Sequence, residues 1–442
     1  MKSRPIALRP FLPVALFVLF PLFMSNSAAQ KRVYIPEDLR GMDMQSDTAQ
    51  WSFKRSAQTD DVVFFWERGF GDNLQDPPSL EGHDMRFSLP TLMRRVQSFY
   101  SFFRDTLGFV VTDRPGTAGP APRTSKADRY KMMVMVQYSL DGTAYGGTYD
   151  NFIGALWVAP NRIQDSTMNC MAHELGHSFQ LQIPADSVGE AWGGSGFYEM
   201  TSQWMLWQVN PWWLRDENYH FEAFKKLTHK AYLHTENIYH SPYVIQWWAD
   251  LHGRKSIAEL YRQGRRGEDP VMTYQRLYHL NQQAFCDEML RGYLHLVNFD
   301  FSHARLETRP YACTFLTELD TLAAAPADAP WYRPRQVPES YGFNAIRLSP
   351  GQLARACRAG SVSLRLRGDN LRWGFVAVTT DGESIYSDVD ATTFRLPRGK
   401  RLACLYLVVM GAPLRHHPST IFGADGGDAA ETFPYQFQLT FP

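Results

Sequence analysis

Apolar and polar positions follow two different periods in the first third of the chain. Short apolar runs bounded by glycine, proline or charged residues are typical of strands, and three occur, at 60–69, 131–140 and 152–160. Between the first two, residues 89–109 carry apolar side chains at helical spacing, which predicts an amphipathic helix. The residues from 60 to 160 therefore predict a strand-rich region with one long helix.

The pattern changes twice further along the chain. From 165 to 305 the apolar residues recur at helical spacing. Beyond a Pro- and Ala-rich passage, residues 336–442 contain short alternating strands separated by Gly, Pro, Asn and Asp. We therefore predict an α+β domain at 30–335, followed by an all-β domain at 336–442 that forms a jelly-roll-like β-sandwich.

The N-terminus has the features of a signal peptide. Three basic residues precede an apolar run at 11–24, and small residues follow up to Ala29. The run contains two prolines and is too short for a membrane-spanning helix, although a retained anchor is the alternative. We expect cleavage after Ala29, which removes residues 1–29 and leaves a secreted or periplasmic chain without a membrane span.

The overall charge limits the class of partner. The chain has 45 Lys and Arg residues against 45 Asp and Glu residues, which argues against a polyanionic partner such as nucleic acid. Five cysteines without CxxC spacing predict neither a disulfide framework nor a cysteine zinc site. One pair, Cys357 with Cys404, is a candidate bridge in an oxidising compartment. Nothing in the composition predicts an oligomeric state.

Residues 168–182, MNCMAHELGHSFQLQ, contain the chemistry of a metal site. On a helix, His173 and His177 project from the same face because four residues make slightly more than one turn. Glu174 lies close enough to serve the same site. This HExxH arrangement is one in which two histidines hold Zn²⁺ and the glutamate acts as general base.

Zinc needs at least one further protein ligand. The HExxHxxGxxH continuation fails, since Gln180 stands where glycine is required and Ile183 where the third histidine would be. Glu199 follows a glycine-rich turn at the start of another predicted helix, which can reverse the chain and face the metal. Glu190 competes, but it precedes that turn in a predicted loop. We predict Glu199 as the third ligand.

These residues resemble the gluzincin branch of the zincin metallopeptidases, in which HExxH is joined by a downstream glutamate. The HELGHSFQ segment is similar to the enhancin-like, mucin-attacking peptidases. The order GALW, AHELGH, EMTSQW and a strand-rich tail with WGFVAV also resembles a group of secreted bacterial proteins of unassigned function. The resemblance implies a zincin-like fold, Zn²⁺ bound by His173, His177 and Glu199, and Glu174 as general base.

Two features of the resemblance are incomplete. Gluzincins commonly place an aspartate four residues after the third ligand to orient a histidine. This chain has Gln203 there, which can still accept a hydrogen bond from the histidine but carries no charge. A downstream His or Tyr usually stabilises the oxyanion, and several residues between 220 and 243 qualify: His220, His234, Tyr239, His240 and Tyr243. Of these, we select Tyr239 and His240 as the candidate catalytic pair.

The strand before the HExxH helix is the candidate substrate platform. We expect it to be an edge strand on which an extended peptide adds through backbone hydrogen bonds, with substrate contacts from Gly154, Ala155, Leu156 and Trp157. The predicted function is a secreted zinc metallopeptidase acting on proteins or glycoproteins. The alternative is a non-catalytic glycan- or protein-binding protein that retains the scaffold.

Overall fold

A five-stranded mixed sheet forms the first layer of the computed structural model, which describes residues 30–112, 124–189, 192, 196–322, 329–418 and 431–442. Its strands are β1 (Ser56–Gln58), β2 (Val62–Trp66), β3 (Met132–Val136), β4 (Tyr145–Tyr149) and β5 (Ile153–Val158). Their order is β1-β2-β3-β5-β4; the three central strands run parallel, and both edge strands run antiparallel to their neighbours. The predicted signal peptide and Glu190 lie outside the described residues.

The expectation that the GALW strand lies at a sheet edge is wrong. This strand, β5, pairs with β3 on one side and with β4 on the other. The glycine-rich segment before it, which contains Gly146 and Gly147, is itself a strand and takes the edge position. Gly154, Ala155, Leu156 and Trp157 therefore have their backbone groups in an interior strand.

Three helices accompany this sheet: α1 (Glu37–Arg40), α2 (Leu89–Asp105) and α3 (Lys126–Arg129). The helix predicted at 89–109 is observed as α2. Ser88 caps it by accepting from the Thr91 amide, and a proline occupies its first turn, where no intrahelical N–H is needed. Its apolar face is buried through Leu92, Val96, Phe99, Tyr100 and Phe103.

The helical layer predicted after residue 165 consists of eight helices in the described residues. They are α4 (Asn169–Ala185), α5 (Phe197–Val209), α6 (Trp213–Asp216), α7 (Asn218–Leu227), α8 (Tyr243–His252), α9 (Lys255–Gln263), α10 (Pro270–Leu277) and α11 (Gln282–Leu296). Phe179 on α4 packs against the rings of Tyr100 and Phe103 on α2, with centroids 4.9 and 5.5 Å apart. The main apolar core therefore runs continuously from the sheet into the helices.

The last part of the chain forms two antiparallel sheets. Its elements are β6 (Leu319–Leu322), β7 (Trp331–Pro334), β8 (Phe343–Arg347), α12 (Pro350–Ala359), β9 (Ser361–Arg367), β10 (Leu371–Thr379), β11 (Ser384–Tyr386), β12 (Thr393–Arg395), β13 (Leu402–Gly411) and β14 (Gln436–Thr440). The strand orders are β11-β10-β13-β8 and β12-β9-β14-β7-β6. Side chains from both sheets share a second apolar core that includes Phe375, Leu407 and Phe437.

The predicted domain division near residue 335 falls beside strands that belong to the second of these sheets. β6 and β7 precede residue 335, yet β7 pairs with β14 and β6 with β7. The division stays a prediction, and residues Lys31–Pro442 form one compact unit.

The cysteine pairing in the structure differs from the candidate bridge. The Sγ atom of Cys404 lies 2.6 Å from that of Cys313, while Cys357 is exposed on α12. The structure thus places Cys404 beside Cys313 rather than in a bridge with Cys357.

No helix among the described residues combines the length and the hydropathy needed to cross a membrane.

Candidate metal centre

Helix α4 is held against the sheet by polar side chains that face strand β5. The Gln182 amide accepts from the Gly154 N–H at 2.8 Å and donates to the Phe152 carbonyl at 3.1 Å. One turn earlier, the Ser178 hydroxyl donates to the Ala155 carbonyl at 2.8 Å. Since these groups are buried, each bond satisfies a polar atom that would otherwise be desolvated without a partner. They fix the orientation of the face that carries the two histidines.

Helix α5 packs closely against α4 at Gly176, inside the HExxH motif. A Cβ atom at this position would lie 2.8 Å from the Ser202 hydroxyl and 3.4 Å from the Ser202 Cα. The absence of a side chain therefore allows the two helices to pack tightly. That packing brings Glu199, in the first turn of α5, over the histidines of α4.

Three potential ligand atoms converge between the two helices. The Nε2 atoms of His173 and His177 lie 3.1 Å apart, and each lies 3.1 Å from Glu199 Oε2. Zinc–ligand bonds of about 2.0–2.1 Å at the tetrahedral angle separate neighbouring ligand atoms by about 3.3 Å. Within the described residues, this is the one group of three His, Cys, Asp or Glu side chains with the spacing of a metal site.

Two glutamines fix the tautomers of the histidines. Gln180 donates its amide N–H groups to the Tyr198 carbonyl and the Ser202 hydroxyl, so its carbonyl oxygen faces His177 Nδ1 at 3.1 Å. Gln203 donates to the Tyr239 carbonyl, and its oxygen faces His173 Nδ1 at 3.3 Å.

Each glutamine oxygen can only accept a hydrogen bond, so each Nδ1 carries a proton, and in a neutral imidazole the lone pair is then on Nε2. With neutral imidazoles, two lone pairs and a carboxylate oxygen meet at 3.1 Å, and a cation between them, either a proton on an Nε2 atom or a metal ion, offsets their repulsion. Without a metal ion, burial raises the pKa of Glu199, but hydrogen bonds from the imidazoles of His173 and His177 and their positive charge outweigh burial and hold this pKa well below its usual range. The donor set therefore fits zinc, which prefers neutral imidazole and carboxylate ligands.

Glu174 is oriented by a contact from the edge strand. Its Oε2 atom accepts a hydrogen bond from the Gly146 backbone N–H on β4, at 2.7 Å. A Cβ atom on Gly146 would overlap the Glu174 carbonyl oxygen, so only glycine permits this approach. Gly146 was not predicted as a functional residue. The available signal was that Tyr145, Thr148 and Tyr149, which are residue types common in strands, flank the glycine pair.

The two candidate catalytic residues downstream lie in different environments. The Tyr239 ring stacks on His173 with centroids 6.2 Å apart, and its side chain is 41% exposed. Burial, followed by the Glu199 charge, raises the pKa of its hydroxyl, which therefore stays protonated at neutral pH. His240 instead pairs with His220, with their Nδ1 atoms 2.7 Å apart. The structure thus brings Tyr239, but not His240, to the ligand cluster.

A chain of hydrogen bonds continues behind His173. Gln203 Nε2 lies 3.3 Å from His220 Nε2, and His220 in turn contacts His240. Burial, and then the neighbouring histidines His240 and His173, lower the pKa of His220 to about 3. Burial likewise raises the pKa of the Cys170 thiol to about 12, so this residue is neutral and lies outside the ligand cluster.

Comparison with solved structures gives weak similarities. A ZmpB metallopeptidase from Clostridium perfringens has a TM-score of 0.31 and 12% identity, covering 82% of this chain and 67% of that one. A metallopeptidase in complex with Tn antigen has a TM-score of 0.30 and 11% identity, covering 85% of this chain and 74% of that one. TM-scores this low do not establish a common fold, so the interpretation of the site rests on its own geometry.

Comparison at the sequence level identifies the family. No curated protein matches the chain. A family model described as "Family of unknown function (DUF6055)" matches residues 25–441. Since this match covers well over half of the sequence, the protein belongs to that family.

Proposed function

We propose that this protein is a secreted zinc-dependent metallopeptidase of the gluzincin type. The observation that supports the proposal most is the convergence of His173, His177 and Glu199 beside an oriented Glu174. Because both Nδ1 atoms face glutamine oxygens, both Nε2 atoms are directed at Glu199, where a metal ion can bind all three. The predicted secretion of the chain and its C-terminal β-sandwich form part of the same proposal.

His173, His177 and Glu199 would hold the zinc ion. When bound, zinc supplies Lewis acidity, which polarises a carbonyl and lowers the pKa of a water molecule to about 7. The Glu174 carboxylate would accept the proton of the attacking water and deliver it to the leaving amine. The Gly146 N–H fixes one carboxylate oxygen, which leaves the other to take part in proton transfer.

Tyr239 is the candidate for stabilising the oxyanion. Because its pKa is raised, its hydroxyl remains a hydrogen-bond donor at neutral pH. It stacks over His173 and therefore lies beside the ligand cluster. His240 would act through His220 and Gln203 on the position of His173 instead of contacting substrate.

The substrate class we propose is the peptide bonds of proteins or glycoproteins. Among the described strands, β4 pairs only with β5, and the Gly146 N–H on its other edge bonds to Glu174. The remaining backbone groups of that edge could pair with an extended peptide, which would add as a further strand beside Glu174. This role was expected for Gly154, Ala155, Leu156 and Trp157, and we transfer it to β4.

Metal content and peptidase activity test the proposal. Wild-type protein should bind about one zinc per chain, and Glu199→Ala should lose it. Glu174→Gln should keep the metal but lose cleavage of a panel of proteins and glycoproteins. Glu222→Gln, which removes an exposed glutamate of α7, serves as the matched control for both measurements.

The outcomes separate the proposal from its alternative. Zinc in the wild type without cleavage of any substrate would favour a binding protein that retains the scaffold. Absence of zinc from the wild type, with apo protein that does not take it up, would refute the metal site itself.

A further inference from the structure

The second C-terminal sheet has one apolar face and one strongly basic face. Alternate residues such as Val362, Leu364 and Phe437 enter the apolar core shared with the other sheet. The opposite face carries exposed arginines on β7, β9 and β12 or directly after them: Arg333, Arg335, Arg365, Arg367 and Arg395. Although the net charge of the whole chain is zero, this face therefore carries a local excess of positive charge.

Part of this face already binds a carboxylate. Asp320 on β6 accepts from Arg333 at 3.2 Å and from Arg335 at 3.0 Å. Arg335 also contacts Glu318 at 3.0 Å. Two guanidinium groups of this face thus bind one carboxylate, each through its Nε–H to a different oxygen.

The arginines of β9 do not form ion pairs of this kind in the described residues. Among the described residues, neither Arg365 nor Arg367 has a carboxylate within 4.0 Å. Arg367 instead stacks on the Trp331 ring, with its guanidinium carbon 3.9 Å from the ring centroid. Stacking orients the guanidinium and leaves its N–H groups free for a ligand. In the sheet register, Arg367 lies opposite Gln436 on β14 and Arg365 lies opposite Gln438.

A cleft of about 700 Å³ opens on this face. Its lining includes Arg333, Arg335, Arg367, Asp320 and Gln436. Arginines offer only hydrogen-bond donors, whereas the aspartate accepts and the glutamine amide does both. Hydroxyl groups both donate and accept, so this mixed lining suits a ligand that carries hydroxyls as well as negative charge.

We propose that this face binds an acidic polysaccharide whose sugars carry carboxylate groups. The uncommitted guanidinium groups of Arg365 and Arg367 would bind the carboxylates, and Gln436 and Asp320 would bind the hydroxyls. Among the described residues, the Trp331 ring on this face is covered by Arg367, so it offers no open platform on which the bases of a nucleic acid could stack. The binding is independent of peptide-bond cleavage.

Binding to polygalacturonate tests the proposal with the full mature chain. The informative variant is Arg365→Gln with Arg367→Gln. The control is Arg355→Gln with Arg358→Gln, which removes two exposed arginines from α12 and so matches the change in net charge. Affinity electrophoresis should compare polygalacturonate, dextran sulfate, neutral dextran and poly-L-glutamate at fixed ionic strength, because long-range attraction is screened by salt. Thermal unfolding should show that both variants remain folded.

We expect wild type to bind polygalacturonate, the β9 variant to bind at least about tenfold more weakly, and the α12 control to stay within about twofold. Neutral dextran should not bind, and poly-L-glutamate should bind more weakly than polygalacturonate. Any of four results would overturn the proposal. They are no binding of polygalacturonate by wild type, equal losses in both variants, poly-L-glutamate bound as tightly as polygalacturonate, or retention by dextran sulfate alone.

Discussion

Gly146→Ala is the substitution with the sharpest expected consequence. Strand β4 lies so close to α4 that a Cβ atom on Gly146 would overlap the Glu174 carbonyl oxygen. It would also lie 2.8 Å from the Cβ of His177. The next residue, Gly147, is a natural control because a Cβ there would meet Trp157 at 3.6 Å, an ordinary contact.

The size of the effect follows from these distances. Carbon atoms pack at about 3.5–4.0 Å, so β4 must move away from α4 by roughly 0.7 Å or more. The Gly146–Glu174 hydrogen bond, 2.7 Å long, would then stretch to about 3.4 Å and lose most of its strength. Overpacking costs about 1–3 kcal/mol and the loss of a hydrogen bond to a charged group about 1.5–3 kcal/mol. Since the two effects overlap, we expect a total of about 2–5 kcal/mol.

Three measurements on both glycine variants test this reasoning. Denaturant unfolding should show the loss in Gly146→Ala and a change below about 1 kcal/mol in Gly147→Ala. Peptidase activity should fall about 100-fold in Gly146→Ala alone, since displacement of a catalytic group by 1 Å has that effect. Zinc content should stay unchanged in both, because all three ligands lie on α4 and α5. Equal stability and equal activity of the two variants would refute the positioning role of Gly146.

Three further outcomes follow from the structure. Gln203→Leu should weaken zinc binding about 10- to 100-fold in competition with a chelator, because it removes the acceptor that orients His173; unchanged affinity would contradict the tautomer argument. The pKa of His220 is about 3 in the folded protein, against an ordinary value of 6.5. Between these two pH values the unfolded chain binds a proton at His220 and the folded chain does not, so the free energy of unfolding falls as the pH falls. His220→Gln should make the melting temperature less dependent on pH between pH 7 and pH 4. An unaltered profile would mean that groups other than His220 cause the pH dependence. Cys313 and Cys404 should form a disulfide bond by exchange with a disulfide oxidant outside the cytoplasm. The two thiols would lose two protons, and two electrons would pass to the oxidant. A count of five free thiols in the secreted protein would contradict this prediction.

Local sequence spacing was sufficient to place the two histidines. His173 and His177 share a helix, and a helical period of 3.6 residues dictates that they face the same way. Glu199 required one further step, the reversal of the chain between two helices, and the structure brings it to both histidines. Whether zinc binds there stays a prediction.

The errors of the sequence analysis arose where tertiary pairing decided the structure. The glycines of β4 lower its intrinsic strand propensity, so the segment resembled a loop, and the edge position was assigned to β5. The register between β4 and α4 cannot be inferred from either segment alone. Helix α12 was also missed, although Ser349 and Gln352 form a capping box and Gly360 ends the helix.

The proposed ligands and the partner of the proposed general base have different origins along the chain. The three potential ligands come from two successive helices, whereas Gly146 lies 28 residues before Glu174 on another element. Under the proposed function, a relative can keep every letter of HExxH and the downstream glutamate while losing the position of Glu174 through one substitution in strand β4. The residue that aligns with Gly146 would then be as informative as the motif itself for distinguishing active from inactive relatives.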